Sequence, residues 1–254
     1  MNTPNRHGNT PLHRASKNGQ HSVVQLLTAD HRCQLKKLSN KSESPLYVAS
    51  KYGHMDTVKV LVGKTECDLN IPDDRGNTPL HTACYHHCHA TVQFLVADQR
   101  CQLNAKNREG ETPLHIASEQ GNLDMVKVLV GRRECYLNIP DDRGNTPLHA
   151  ACEHRHHSTV QLLVADQRCL SVNTQNKEGE TPLLLALKHC TLNTVKVVVC
   201  RQECEFNIPD GIGNTPLHIA CMYRNYSIVQ ILTADQRCKL NTQNGEASHI
   251  SSNC

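Results

Sequence analysis

The chain has no tryptophan and only two phenylalanines in 254 residues. The large aromatic anchors that usually fill a core of this size are therefore missing, and Leu, Val, Ile, Ala and Cys must do the packing. Long apolar runs are missing as well. The longest, such as VKVVVC, fall far short of the roughly 18 residues needed to cross a bilayer, and the opening MNTPNRHGNT lacks the apolar centre of a secretory signal. No excess of one charge sign exists either. A formal net charge of +3, with acids and bases interspersed, is too weak an imbalance to imply nucleic acid or an anionic membrane. The expectation is a cytoplasmic protein, with a nuclear location as the secondary reading, no membrane insertion and no nucleic acid partner. Fourteen cysteines are present, but a disulfide-stapled scaffold suits secreted chains under about 100 residues, and neither condition holds.

What the chain does have is repetition. NIPDDRGNTPLHTAC at 70–84 returns at 138–152 with one letter changed and at 207–221 as NIPDGIGNTPLHIAC. Thr-Pro-Leu-His and its variants start at Thr10, Ser44, Thr78, Thr112, Thr146, Thr181 and Thr215, spaced by 34 residues except for one interval of 35. Such a period marks a repeat architecture in which no unit buries its own apolar face. Thr before Pro predicts a helix start: the hydroxyl accepts from an orphan amide and Pro at the first helical position loses no needed donor. Glycine two residues earlier, with Ser42 the one departure, predicts a tight turn. Alanine five residues after each start (Ala15, Ala49, Ala83, Ala117, Ala151, Ala186, Ala220) predicts close approach of another backbone. A second helix follows, with apolar residues at steps of three and four, as at Val92, Leu95 and Val96. The turn between the helices is Gly19, Gly53 or Gly121, but His87, Arg155, Cys190 and Arg224 elsewhere, where a left-handed backbone would be strained.

Gly-x-Thr-Pro-Leu-His-x-Ala, a helix pair and a closing Leu-Asn resemble the ankyrin repeat over about residues 5–241. The resemblance implies an all-α repeat solenoid of stacked helix pairs with β-hairpin-like finger loops. Seven repeats are expected at about 5–39, 40–72, 73–106, 107–140, 141–175, 176–209 and 210–241, with a polar tail at 242–254. Units of 34 rather than 33 residues, ending in DQRC or KTEC where the family usually has a glycine, predict a slightly longer helix end and a less regular exit loop. Odd units share AD(Q/H)RC and even ones end in EC, so the duplicated unit is about 68 residues.

The periodic cysteines (Cys33, Cys67, Cys101, Cys135, Cys169, Cys204, Cys238) are expected to pack as small hydrophobes, because stacked helices about 8–10 Å apart exceed the reach of a disulfide. The residues before them alternate (Arg32, Glu66, Arg100, Glu134, Arg168, Glu203, Arg237) and predict a ladder of opposite charges. Cys84, His86, His87, Cys88 and His89, echoed from Cys152 to His157, offer zinc-binding residue types, but Cys84 should point inward and His86 outward. No metal and no cofactor is assigned. The resemblance implies that His13, His81, His115, His149 and His218 hydrogen-bond to the neighbouring loop, so Tyr47 and Leu184 should mark looser junctions. It also makes Asn70 and Asn207 hydroxylation candidates.

No phosphate-cradling loop, nucleophile elbow or inward carboxylate pair exists, so no enzyme is expected. The resemblance implies a monomeric protein-interaction scaffold or adaptor that binds a partner protein through a concave helix face and finger loops. Partner contacts are assigned to Tyr52, Tyr85, His86, Gln120, His154, His189 and Tyr223 on the first-helix edge, and to Asp74, Arg75, Asp142 and Arg143 on the finger tips. Aromatic residues concentrate interface energy, which selects Tyr52, Tyr85 and His86 as the hot spot. A metal-binding or redox-responsive Cys/His protein, or the recognition arm of a larger multidomain protein, are the alternative readings.

Overall fold

Thr-Pro starts, glycine turns and short apolar stripes fold as fourteen α-helices among the described residues, which are 2–189 and 192–241 of a computed structural model. The helices are α1 (Pro11–Lys17), α2 (His21–Ala29), α3 (Pro45–Lys51), α4 (Met55–Val62), α5 (Pro79–Tyr85), α6 (His89–Ala97), α7 (Pro113–Glu119), α8 (Leu123–Val130), α9 (Pro147–Glu153), α10 (His157–Ala165), α11 (Pro182–Lys188), α12 (Leu192–Val199), α13 (Pro216–Met222) and α14 (Tyr226–Ala234). The tail expected at 242–254 and the turn residue Cys190 lie outside the described residues.

Two compact units emerge: residues Met1–Ala117 with Asp124–Cys135, and Ser118–Leu123 with the chain from Tyr136 onward. In the first, α1, α3 and α5 pack side by side, α2, α4 and α6 form a second row, and each first helix packs on its own second helix. The second unit repeats this with α9, α11 and α13 against α10, α12 and α14. The predicted alanines are 0–3 % exposed, as are the leucines after each proline. A helix of only seven residues cannot stand alone in water, so these contacts hold it.

Local chemistry sets both helix ends. Thr78 Oγ1 accepts from the His81 backbone N–H, while His81 Nδ1 accepts from the Thr78 N–H at 3.1 Å, a reciprocal cap. The turn places occupied by His87, Arg155 and Arg224 have φ of 57°, 63° and 52°, so side chains other than glycine do occupy the left-handed region there. The exit loops are more regular than the sequence suggests. In every repeat the cysteine N–H bonds the carbonyl three residues earlier, as from Cys67 to Lys64 and from Cys101 to Asp98, both at 3.0 Å. The two-repeat period survives as helix length, since α2, α6, α10 and α14 have nine residues where α4, α8 and α12 have eight.

The fingers hold no strand among the described residues. Within each unit, successive fingers are turns linked by a backbone bond, as from the Arg108 N–H to the Arg75 carbonyl at 2.8 Å in the first unit and from Lys177 to Arg143 at 2.8 Å in the second. Gly76 is required here: its φ is +82° and an added Cβ would lie 2.8 Å from the Arg108 nitrogen.

Candidate functional site

The edge residues sit where the short first helix ends. Tyr85 is the last residue of α5, and Tyr52 and His86 cap the C-termini of α3 and α5. A helix too short to carry its seventh and eighth positions inward leaves these side chains outside: Tyr52 is 46 % and Tyr85 57 % exposed. In the first unit the Tyr52 ring stacks on His54 at 6.2 Å between centroids, and the Lys17 ammonium lies 5.5 Å from its centre, a cation–π arrangement. His54 Nε2 donates to the Lys17 carbonyl at 2.9 Å and thereby ties the first repeat to the second. The Tyr85 and His86 rings meet edge to face at 5.2 Å. Partial burial, with Lys51 nearby, moves the His86 pKa downward. Lys17 and Lys51 share the seventh first-helix position beside the edge residues, whereas the part of His54 is visible only once the repeats stack.

The finger tips divide by role. Asp73 accepts from the backbone of Arg75 and Asn77 and from the Tyr47 hydroxyl at 2.7 Å. Asp74 is held by the Ser42 hydroxyl and stays exposed beside Arg75. In the second unit Asp141 shapes the turn through Arg143 and Asn145, leaving Asp142 and Arg143 exposed. His154 and Tyr223 are exposed there, whereas Gln120 and His189 are half-buried. His154 Nε2 stands 3.9 Å from Glu119 Oε1, and burial lowers the His189 pKa.

The expected histidine ties are seen from His13, His81 and His149, whereas His218 Nε2 is buried without a hydrogen-bond partner among the described residues. Nε2 donates to Glu43 from His13 at 3.0 Å, to Glu111 from His81 at 3.0 Å, and to Thr174 and Glu180 from His149 at 2.9 and 3.1 Å. The Tyr47 junction, expected to be loose, is instead bonded through Asp73. At Leu184, fully buried, Lys188 spans Glu180 at 2.5 Å and Asp210 at 3.7 Å; Lys51 makes the equivalent bridge to Glu43 at 3.1 Å. A lysine–glutamate pair thus accompanies each missing histidine.

The alternating charge ladder does not form. Each arginine pairs with the aspartate two residues before it: Arg32 with Asp30, Arg100 with Asp98, Arg168 with Asp166 and Arg237 with Asp235, at 2.6–2.7 Å. Arg100 also donates to the Val62 carbonyl at 2.8 Å, and Arg237 to that of Val199 at 3.0 Å, so these guanidinium groups cap the C-termini of α4 and α12.

The cysteines point to packing. Cys67, Cys101, Cys135, Cys169 and Cys204 are buried and free, with Cys33 and Cys238 half-buried; burial pushes the Cys67 thiol up to about 11 and those of Cys101 and Cys204 up to about 12. Cys221 is disulfide-bonded. The Cys84–His89 cluster does not converge: Cys84 is fully buried, His86, His87 and His89 are exposed, and the Cys88 thiol turns to the Lys51 carbonyl. No group of three or more His, Cys, Asp or Glu is arranged to hold a metal among the described residues. None of the helices described is long and apolar enough to cross a membrane.

No curated protein matches the sequence significantly. Among solved structures, the ankyrin repeat domain of Bcl-3, described as a unique member of the IκB protein family, matches with a TM-score of 0.78 and 28 % identity, covering 90 % of this chain and all of that one. The family model for ankyrin repeats (3 copies) matches at 12–107, 89–174 and 168–244. With these matches spanning nearly the whole chain, on a fold of capped helix pairs joined by histidine ties, the protein belongs to the ankyrin-repeat family and is a protein–protein interaction domain.

Proposed function

We propose that the chain is a non-enzymatic scaffold or adaptor, acting as a monomer in the cytoplasm or nucleus, that holds one partner protein against its first-helix ends and finger tips. The observation that carries this reading is the group Lys17, Tyr52, His54, Tyr85 and His86 in the first unit. Two tyrosines remain about half exposed although each ring is already positioned by a neighbouring cation or imidazole. Rings held in place lose little freedom on binding, and aromatic anchors of this kind dominate interface energy. Asp74 and Arg75, and in the second unit Asp142, Arg143, Gln120, His154, His189 and Tyr223, supply polar contacts that set register. A partner isolated on the full chain and identified by mass spectrometry provides the test. Tyr52→Ala and Tyr85→Ala should each weaken its binding by about 2 kcal/mol or more. Unchanged affinity in the double variant, with circular dichroism unaltered, refutes the placement.

A further inference from the structure

Asparagine side chains staple the closing loops of successive repeats at all but one of the places the register offers among the described residues. Asn2, Asn70, Asn104, Asn138, Asn173 and Asn207 each donate Nδ2–H to the carbonyl thirty residues on, at 2.5–2.8 Å. From all of these but Asn104, the Oδ1 is also seen to accept the backbone N–H thirty-two residues on, at 2.7–3.1 Å. The register leaves one further place, 34 residues after Asn2 and 34 before Asn70, and there the chain has Lys36. The facing groups would be the Glu66 carbonyl and the Asp68 N–H, and neither bonds to any described residue.

At this junction a cavity of about 650 Å³ opens, lined by Lys36, Lys37 and Lys64 together with Cys33 and Leu35. None of the three ammonium groups has an ion-pair partner among the described residues. Of the acids beside them, Asp30 is engaged by Arg32 at 2.6 Å, leaving Glu66 to offset one positive charge. An excess of positive charge therefore surrounds a space within the range of small-molecule sites, about 300–1,000 Å³, with Cys33 and Leu35 supplying a half-buried apolar wall.

We propose that this cavity is a binding site for a small organic phosphate, its oxygens taken by Lys36, Lys37 and Lys64 and its apolar part lying against Leu35 and Cys33. Three lysines lining one space suit a multiply charged anion better than a carboxylate, and lysine binds phosphate as a point charge. The replacement of Asn by Lys at one place serves two ends: it leaves the junction unstapled, so that the space exists, and it supplies a cation at its mouth.

Calorimetric titration of the full chain with phenyl phosphate, inorganic phosphate and benzoate tests the proposal. Phenyl phosphate should bind most tightly, with amide shifts at Lys36, Lys37 and Lys64 in NMR spectra. Lys36→Asn should restore the staple, raise the melting temperature and weaken binding at least about tenfold; Lys64→Gln, which leaves the staple absent, should also weaken it. Absence of saturable binding, or full affinity retained in either variant, overturns the site. Equal affinity for benzoate overturns the preference for phosphate, and equal affinity for inorganic phosphate overturns the apolar contact.

Discussion

Protonation of His81 should destabilise this protein from within. The ring is 1 % exposed, its Nδ1 accepts from the Thr78 N–H at 3.1 Å, and its Nε2 donates to the Glu111 carbonyl of the next repeat at 3.0 Å. A proton added to Nδ1 would face that N–H, and burial lowers the pKa from 6.5 to about 4. Because the folded-state pKa is depressed, the unfolded chain takes up the proton first as pH falls. Stability is therefore full above about pH 6.5 and is lost progressively down to about pH 4. At about 1.4 kcal/mol per pKa unit the whole shift amounts to about 3 kcal/mol, of which about 1.4 kcal/mol is lost by pH 5.5 or so. His13 and His149, also shifted downward by burial, add to the same slope. Urea denaturation followed by circular dichroism at about pH 7.5 and about pH 5.5 measures it. His81→Gln keeps an amide donor but cannot titrate in this range. It should be less stable than the wild type at the higher pH, with a gap that narrows by about 1.4 kcal/mol at the lower. A gap that stays constant, or an NMR titration placing the His81 pKa near 6.5, refutes the reasoning.

Asn70→Ala removes two bonds that cross a repeat junction, to the Arg100 carbonyl at 2.8 Å and from the Gln102 N–H at 2.8 Å; it should cost about 1–3 kcal/mol in urea denaturation. Arg155→Gly relieves a residue held at φ 63° and should stabilise by about 1 kcal/mol, seen as a raised melting temperature. Native-state alkylation followed by mass spectrometry should label exposed Cys200 readily, while Cys84 and Cys152, both fully buried with thiols pushed upward by desolvation, should react only on unfolding.

Much of this is legible in the sequence, because the repeat encodes local causes. Thr-Pro marks a helix start wherever it falls, the spaced alanines demand close packing, and the family resemblance carried the histidine ties and the outward position of Tyr52 and Tyr85. Legibility failed where a side chain chose between a partner in its own loop and one in the next repeat. The alternation of Arg and Glu suggested rungs between repeats. Asp98 lies two residues from Arg100, however, and an i, i+2 pair in a tight turn forms without stacking the repeats at all. Tyr47 looked like a gap in the histidine series because nothing local reveals that a longer side chain reaches Asp73 from the same place.

The sequence by itself thus determined the helix pairs, their seven starts, the buried faces and the class of molecule, since each follows from interactions within about one turn of chain or from a period repeated seven times. Tertiary structure alone decided which groups meet across repeats: the arginine caps on α4 and α12, the Tyr47 bond to Asp73, and the unstapled junction at Lys36. The arginine caps and the asparagine staples join residues about thirty to thirty-eight positions apart, and the offset between stacked repeats that brings them together comes from how the helix surfaces interlock, which no stretch of one repeat contains.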